Sequence, residues 1–146
     1  QVGPFGLPLL KPPYRRITAI DLNTGDHVWQ VPFGRGPIDH PMLKDLNLPP
    51  LGSVYDDVVA EGGILVTESL LVSFLAQKDE ISPDAQGSIL VALSKETGEI
   101  VGEVLVDQRL HGPPMSFMHK GKQYIAVAGG GRNNDDELLL FALPQD

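Results

Sequence analysis

One pattern occurs twice in this chain, and it restricts the available folds more than any other feature. Ala19-Ile20-Asp21-Leu22-Asn23-Thr24-Gly25-Asp26-His27-Val28-Trp29 returns 73 residues later as Ala92-Leu93-Ser94-Lys95-Glu96-Thr97-Gly98-Glu99-Ile100-Val101-Gly102. Each copy reads as strand, tight turn, strand. Ile17 and Ala19 share one face of the first strand, because side chains alternate along an extended chain. Asn23, Thr24 and Asp26 supply side chains that bond their own backbone, and Gly25 supplies a positive φ. Val28 and Gln30 then point one way, and His27, Trp29 and Val31 the other. The only tryptophan closes the first hairpin, and a large ring at a fixed distance after a turn suits a wedge between packed sheets. In the second copy Ser94 replaces Asp21 and Gly102 replaces Trp29. Phe141-Ala142-Leu143-Pro144 reads as a third, truncated copy. Repeats on this scale point to a propeller or a solenoid.

The remaining chain agrees. Glycine and proline make up about a fifth of the residues, which favours turns and short strands over helices. Residues 1–14 form an irregular lead-in rich in both. Arg15 to Pro32 is the first hairpin. Residues 33–53 form a long loop punctuated by Gly34, Gly36, Pro37, Pro41, Pro49, Pro50 and Gly52, and loops this long are usually functional or family insertions. Val54–Ala60 reads as a strand, Ile64–Thr67 as a buried strand, and Leu70–Ala76 as another apolar run. Residues 77–87 form a polar loop. Strands are then expected at Ser88–Ser94, Ile100–Val106, Met115–His119, Gln123–Ala128 and Glu137–Leu143. Such spacing predicts an all-β chain. At roughly 40–45 residues per blade, residues 1–146 make one partial β-propeller domain of about three four-stranded antiparallel blades. Three blades do not close a ring. The exposed faces therefore need the remaining blades, another chain or self-association, unless the piece repacks as a sandwich-like domain.

Composition excludes several functions. The net charge is -8, and nucleic-acid binding requires clustered Lys and Arg. Without cysteine there is no disulfide and no thiolate metal site. No apolar run reaches the roughly 20 residues of a membrane span, and no leader is visible. The chain opens on Gln1, which is expected of a processed product or a fragment.

Ala-x-Asp-x-x-Thr-Gly-x-x-x-Trp resembles the tryptophan-docking repeat of the quinoprotein alcohol and sugar dehydrogenases. Gly6-Leu7-Pro8 followed by Pro12-Pro13-Tyr14 resembles the lead-in of the membrane-type glucose dehydrogenase branch. The tail resembles that branch's C-terminus, from Pro113-Pro114-Met115-Ser116-Phe117 through Gly121-Lys122-Gln123-Tyr124-Ile125-Ala126-Val127-Ala128-Gly129-Gly130 to Phe141-Ala142-Leu143-Pro144. The resemblance implies part of an eight-bladed propeller that uses pyrroloquinoline quinone (PQQ), with Ca²⁺ or Mg²⁺ in the full-length family. It implies oxidation of a sugar or alcohol in the periplasm, with attachment to the inner membrane through segments outside this chain. The family's catalytic Asp and its metal ligands lie in upstream blades. No catalytic residue, no metal ligand and no bound cofactor are therefore expected in this chain alone, which should be inactive in isolation. A non-catalytic scaffold or protein-binding propeller is the alternative.

Candidate residues remain. Gly130, Gly131 and Arg132 are expected at the mouth of the cofactor funnel, where an Arg suits a quinone carboxylate. The glucose branch has a His at the position of Gly131, and that departure sets this chain apart. His27, His40, His111 and His119 lack compact ligand spacing. His40 beside Asp39 suits acid–base work, and His111 is a candidate to face the propeller axis. Asp56-Asp57 and Asn133-Asn134-Asp135-Asp136 group carboxylates, but the second lacks the spacing of a calcium loop and reads as a solvated turn.

Overall fold

A computed structural model describes residues 3–54, 63–76, 87–131 and 134–142. The described regular structure is all β apart from single 3-10 turns at Pro4–Gly6 and Lys44–Leu46. The strands are β1 (Arg16–Ile20), β2 (His27–Pro32), β3 (Leu65–Val66), β4 (Leu70–Ala76), β5 (Ser88–Ser94), β6 (Ile100–Val106), β7 (Leu110–His119), β8 (Lys122–Gly131) and β9 (Asn134–Ala142). They form three antiparallel sheets in chain order: β1-β2, β3-β4-β5-β6 and β7-β8-β9. The sheets do not close on one another. They have two, four and three described strands rather than four each. The strand expected over Val54–Ala60 lies almost wholly outside the described residues, as do most of the loop at 77–87 and the end of the third repeat copy.

The two repeat copies fold alike, down to individual bonds. Asp21 N–H donates to the Asp26 carbonyl at 2.9 Å and Gly25 N–H to the Asp21 carbonyl at 2.7 Å. Ser94 N–H to Glu99 and Gly98 N–H to Ser94 repeat these bonds, both at 2.8 Å. The threonines cap both turns in the same way: Thr24 Oγ1 accepts from Asp26 N–H at 3.2 Å, and Thr97 Oγ1 from Glu99 N–H at 3.3 Å. Gly25 and Gly98 have φ of 79° and 77°, where an L-residue is disfavoured.

Trp29 joins one sheet to the next. Its Nε1–H donates to the Lys95 carbonyl at 3.1 Å, and its ring lies against Gly98, where an added Cβ would fall 2.7 Å from Cε3. The first copy's tryptophan thus docks on the second copy's glycine. Gly102, which takes the tryptophan's place in the second copy, is exposed, and a Cβ added there would meet nothing within 4 Å.

β4 and β5 of the middle sheet are buried on both faces, so β4 is a nearly unbroken apolar run, whereas β6 is exposed along nearly its whole length. Leu71, Leu75, Ile89, Val91 and Leu93 pack with Ile17 and Phe33, flanked by Trp29 and Val31. Val72, Phe74 and Leu90 face the other way and pack with Leu110 and Val127. One strand expected to be buried is not. Only Leu65 and Val66 of 64–67 are extended, and Val66 is 61% exposed. This strand pairs with β4 at the sheet's edge, where Leu65 packs on the core of Val72, Phe74 and Leu110 while Val66 stays exposed.

The loop over 33–53 returns on itself. Leu51, Gly52 and Ser53 donate backbone bonds to Arg35, Gly34 and Phe33, each at 2.9 Å. Gly52 is buried at φ 81°, and a Cβ there would run into the Arg15 backbone carbonyl. Gly52→Ala is expected to lower unfolding stability by about 2 kcal/mol, through backbone strain and displacement of Arg15. Urea titration would show it. An unchanged midpoint would mean that the loop closes without this contact.

Candidate functional site

The sheets are stacked with their ends aligned. The Trp29–Lys95 bond sets the β1–β2 turn beside the β5–β6 turn. At the other end, Leu110 N–H donates to the buried Ser88 Oγ at 2.9 Å, which places the start of β7 beside the start of β5. Gly63, just before β3, meets Pro113 of β7. One rim therefore carries the tight turns at 21–26, 95–98 and 119–122. The opposite rim carries the 33–53 loop, the 107–109 connection and the β8–β9 tip with its glycines. His40 and His111 lie toward this second rim, and His27 and His119 toward the first.

The glycine tip is an arrangement of cross-straps. Gln108 Nε2 donates to Glu137 Oε2 at 2.9 Å, reaching from the start of β7 to β9 across β8. It passes over Gly129, where a Cβ would fall 2.8 Å from Leu139 Cδ1 and 3.1 Å from Gln108 Oε1. His111 Nε2 approaches Asp136 Oδ1 at 3.8 Å, again linking β7 to β9. Gly130 N–H donates to the Arg109 carbonyl at 2.9 Å, in a register break between Gly129 and Gly131. Side chains can cross a middle strand only where that strand has little or no side chain of its own. Separation in sequence hid both straps, since only the register brings 108 to 137 and 111 to 136.

The expected site residues fare unevenly. Gly130 and Gly131 sit at the tip of β8, while Arg132 lies outside the described residues, as do Asp56, Asp57 and Asn133. His40 is structural: its Nδ1 accepts from Met42 N–H at 3.2 Å, so in the neutral ring Nε2–H donates to the Phe5 carbonyl at 2.9 Å. Asp39 pairs with Arg35 at 3.2 Å. The acid–base pairing of Asp39 with His40 expected from their adjacency does not form. Among the described residues, no group of three or more His, Asp or Glu is placed to hold a metal ion. No described helix is long and apolar enough to cross a membrane.

Residues 1–125 match the family described as the PQQ glucose/ethanol/alcohol dehydrogenase β-propeller domain. The chain belongs to this quinoprotein family. Among curated relatives, it is 34% identical to the quinate/shikimate dehydrogenase (quinone) of Acinetobacter baylyi, covering 95% of this chain and 16% of that protein. It is 30% identical to the glycerol dehydrogenase large subunit of Gluconobacter oxydans, covering 95% and 18%. It is 24% identical to the quinoprotein glucose dehydrogenase of Escherichia coli, covering 99% and 17%. The chain thus spans about a sixth of the length of these relatives.

Anionic quinone carboxylates require cations or unengaged N–H groups. The Gly130 N–H is already bonded to Arg109. Arg109 itself makes no ion pair among the described residues, although its backbone is fixed at the glycine tip. Its place there has no signal in the sequence, where nothing ties residue 109 to residue 130.

Proposed function

We propose that this chain forms part of a PQQ-dependent dehydrogenase of sugars or polyols, working in the periplasm and held at the inner membrane by segments outside these residues. The observation that carries the reading is the gathering of the 33–53 loop, Arg109 and the glycine tip on one rim of a quinoprotein propeller. The cofactor, when bound, supplies the two-electron redox chemistry. This chain's part is to bind and orient: Arg109 and Arg132 offer cations to a quinone carboxylate, and Gly130 and Gly131 let the backbone lie close to the ring. The donor chemistry fits through the arginines rather than through the engaged Gly130 N–H.

Proton abstraction falls to a carboxylate in the remaining blades, which also cover the open sheet faces. The 146-residue chain, given PQQ and Ca²⁺, is expected to show no dye-linked oxidation of quinate, glycerol or glucose above the cofactor blank. A longer polypeptide joining it to further blades is expected to turn over. Turnover by the short chain would overturn the placement of the base elsewhere. Inactivity of the longer polypeptide with all three substrates would count against the dehydrogenase reading and favour a binding propeller.

A further inference from the structure

Three successive residues at the loop rim are tied to three different strands. Gln108 Nε2 donates to Glu137 Oε2 of β9 at 2.9 Å. The Arg109 carbonyl accepts from Gly130 N–H of β8 at 2.9 Å. Leu110 N–H donates to Ser88 Oγ of β5 at 2.9 Å, and Leu110 and Ser88 are both buried. The chain is therefore held before, at and after Arg109, whose side chain makes no ion pair among the described residues.

The first of these ties is made against a penalty. Gln108 Oε1 is buried and has no hydrogen-bond partner among the described residues. A glutamine at a rim ordinarily turns its carbonyl to water, and an unpaired buried acceptor costs more than an average hydrogen bond returns. Here the oxygen lies over Gly129, where an added Cβ would fall 3.1 Å from it. Glu137 is exposed, so the bond competes with water and does little for folding. Local geometry held against preference is characteristic of functional sites.

What the bond fixes is the base of Arg109. A guanidinium binds a carboxylate best when its stem is already placed, since less freedom is lost on binding. We propose that Gln108 and Glu137 are positioning residues for Arg109: their bond over Gly129 holds the Arg109 backbone so that its guanidinium meets a carboxylate of the bound quinone. The inference rests on the PQQ-dehydrogenase reading above and adds to it the residues that orient the cation. Charge separates it from the simpler alternative. Removing a carboxylate near an anion site strengthens anion binding by charge alone. Removing Glu137 weakens that binding if its part is to hold Gln108.

Two measurements test this. In the 146-residue chain, amide hydrogen exchange at Gly130 is expected to speed up about tenfold in Gln108→Ala and in Glu137→Ala. It should keep its wild-type rate in Arg109→Ala, which retains the carbonyl. Unchanged exchange in Gln108→Ala would show that the bond does not hold the tip, and would overturn the proposal. The second measurement titrates PQQ into the longer polypeptide that joins this chain to further blades, followed by cofactor fluorescence. Gln108→Ala and Glu137→Ala are each expected to raise Kd about tenfold. Glu137→Gln still accepts the bond and should stay within about twofold of wild type. Arg109→Ala should raise Kd at least as much as Gln108→Ala, and adding Gln108→Ala to it should change nothing further.

An unchanged Kd in either Gln108→Ala or Arg109→Ala would overturn the proposal and leave the dehydrogenase reading standing. So would tighter binding by Glu137→Ala, or a loss from Gln108→Ala that persists beside Arg109→Ala. Failure of the wild-type polypeptide to bind PQQ would overturn the reading and the proposal together.

Discussion

Trp29→Ala is expected to lower unfolding stability by about 3 kcal/mol, the low end for removal of a large aromatic, because the ring is only half-buried. Three things are lost together: the apolar contact with the core of Ile17, Leu71 and Val91, the stack on Gly98, and the bond to the Lys95 carbonyl. Far-UV circular dichroism in urea is the suitable measurement, since the substitution removes the only tryptophan. Trp29→Phe keeps an apolar ring and drops the N–H, so its smaller loss of about 1 kcal/mol isolates the hydrogen bond. Gly98→Ala adds a Cβ 2.7 Å from the indole at a φ of 77°. It should cost less when Trp29 is already alanine, and the difference in a double-mutant cycle measures the docking itself. Additive losses would show that ring and glycine do not communicate.

The second large effect lies on the opposite face of the same sheet. Phe74 is fully buried, facing Leu110 and Val127 across the second seam. Phe74→Ala is expected to cost about 4 kcal/mol, combining lost transfer energy with a cavity that the flanking strands cannot fill. Because β4 sends Phe74 one way and Leu75 the other, Phe74→Ala and Trp29→Ala disturb separate seams. Their costs should add to within about 0.5 kcal/mol. Strong coupling would mean that the middle sheet shifts as a body when either neighbour is loosened, and urea titration of the double variant decides it.

Much of this architecture could be read from the chain. The turn at 21–26 was legible because each residue in it serves a local need, and the copy at 94–99 serves the same needs with different side chains. The apolar runs at 70–76 and 88–94 were legible because burial on both faces removes the polar alternation. Other features were hidden for physical reasons. Ile64–Thr67 has the composition of a buried strand, but burial depends on what covers each face: Leu65 packs on the core of Val72, Phe74 and Leu110, while Val66 stays exposed. β7 begins at Leu110, not at Met115. Gly112-Pro113-Pro114 reads as a break, yet it forms a bulge on the first strand of its sheet, where proline's missing donor leaves no ladder bond unmade. At the candidate site the glycines were visible as a motif. Gln108, Arg109 and Glu137 were not, and His111 and Asp136 stood out only singly, since strand register rather than spacing brings them together.

The division of the molecule into two rims has a bearing on how such a protein changes over generations. The tight-turn rim holds the Trp29–Gly98 contact and fixes the distance from one sheet to the next, so a lengthened turn there would disturb the whole stack. The other rim carries the Ser88–Leu110 bond at its strand ends, but its loops close largely on themselves, and insertions within those loops leave the pitch untouched. New specificities can accordingly arise on one side while the other keeps the frame in register.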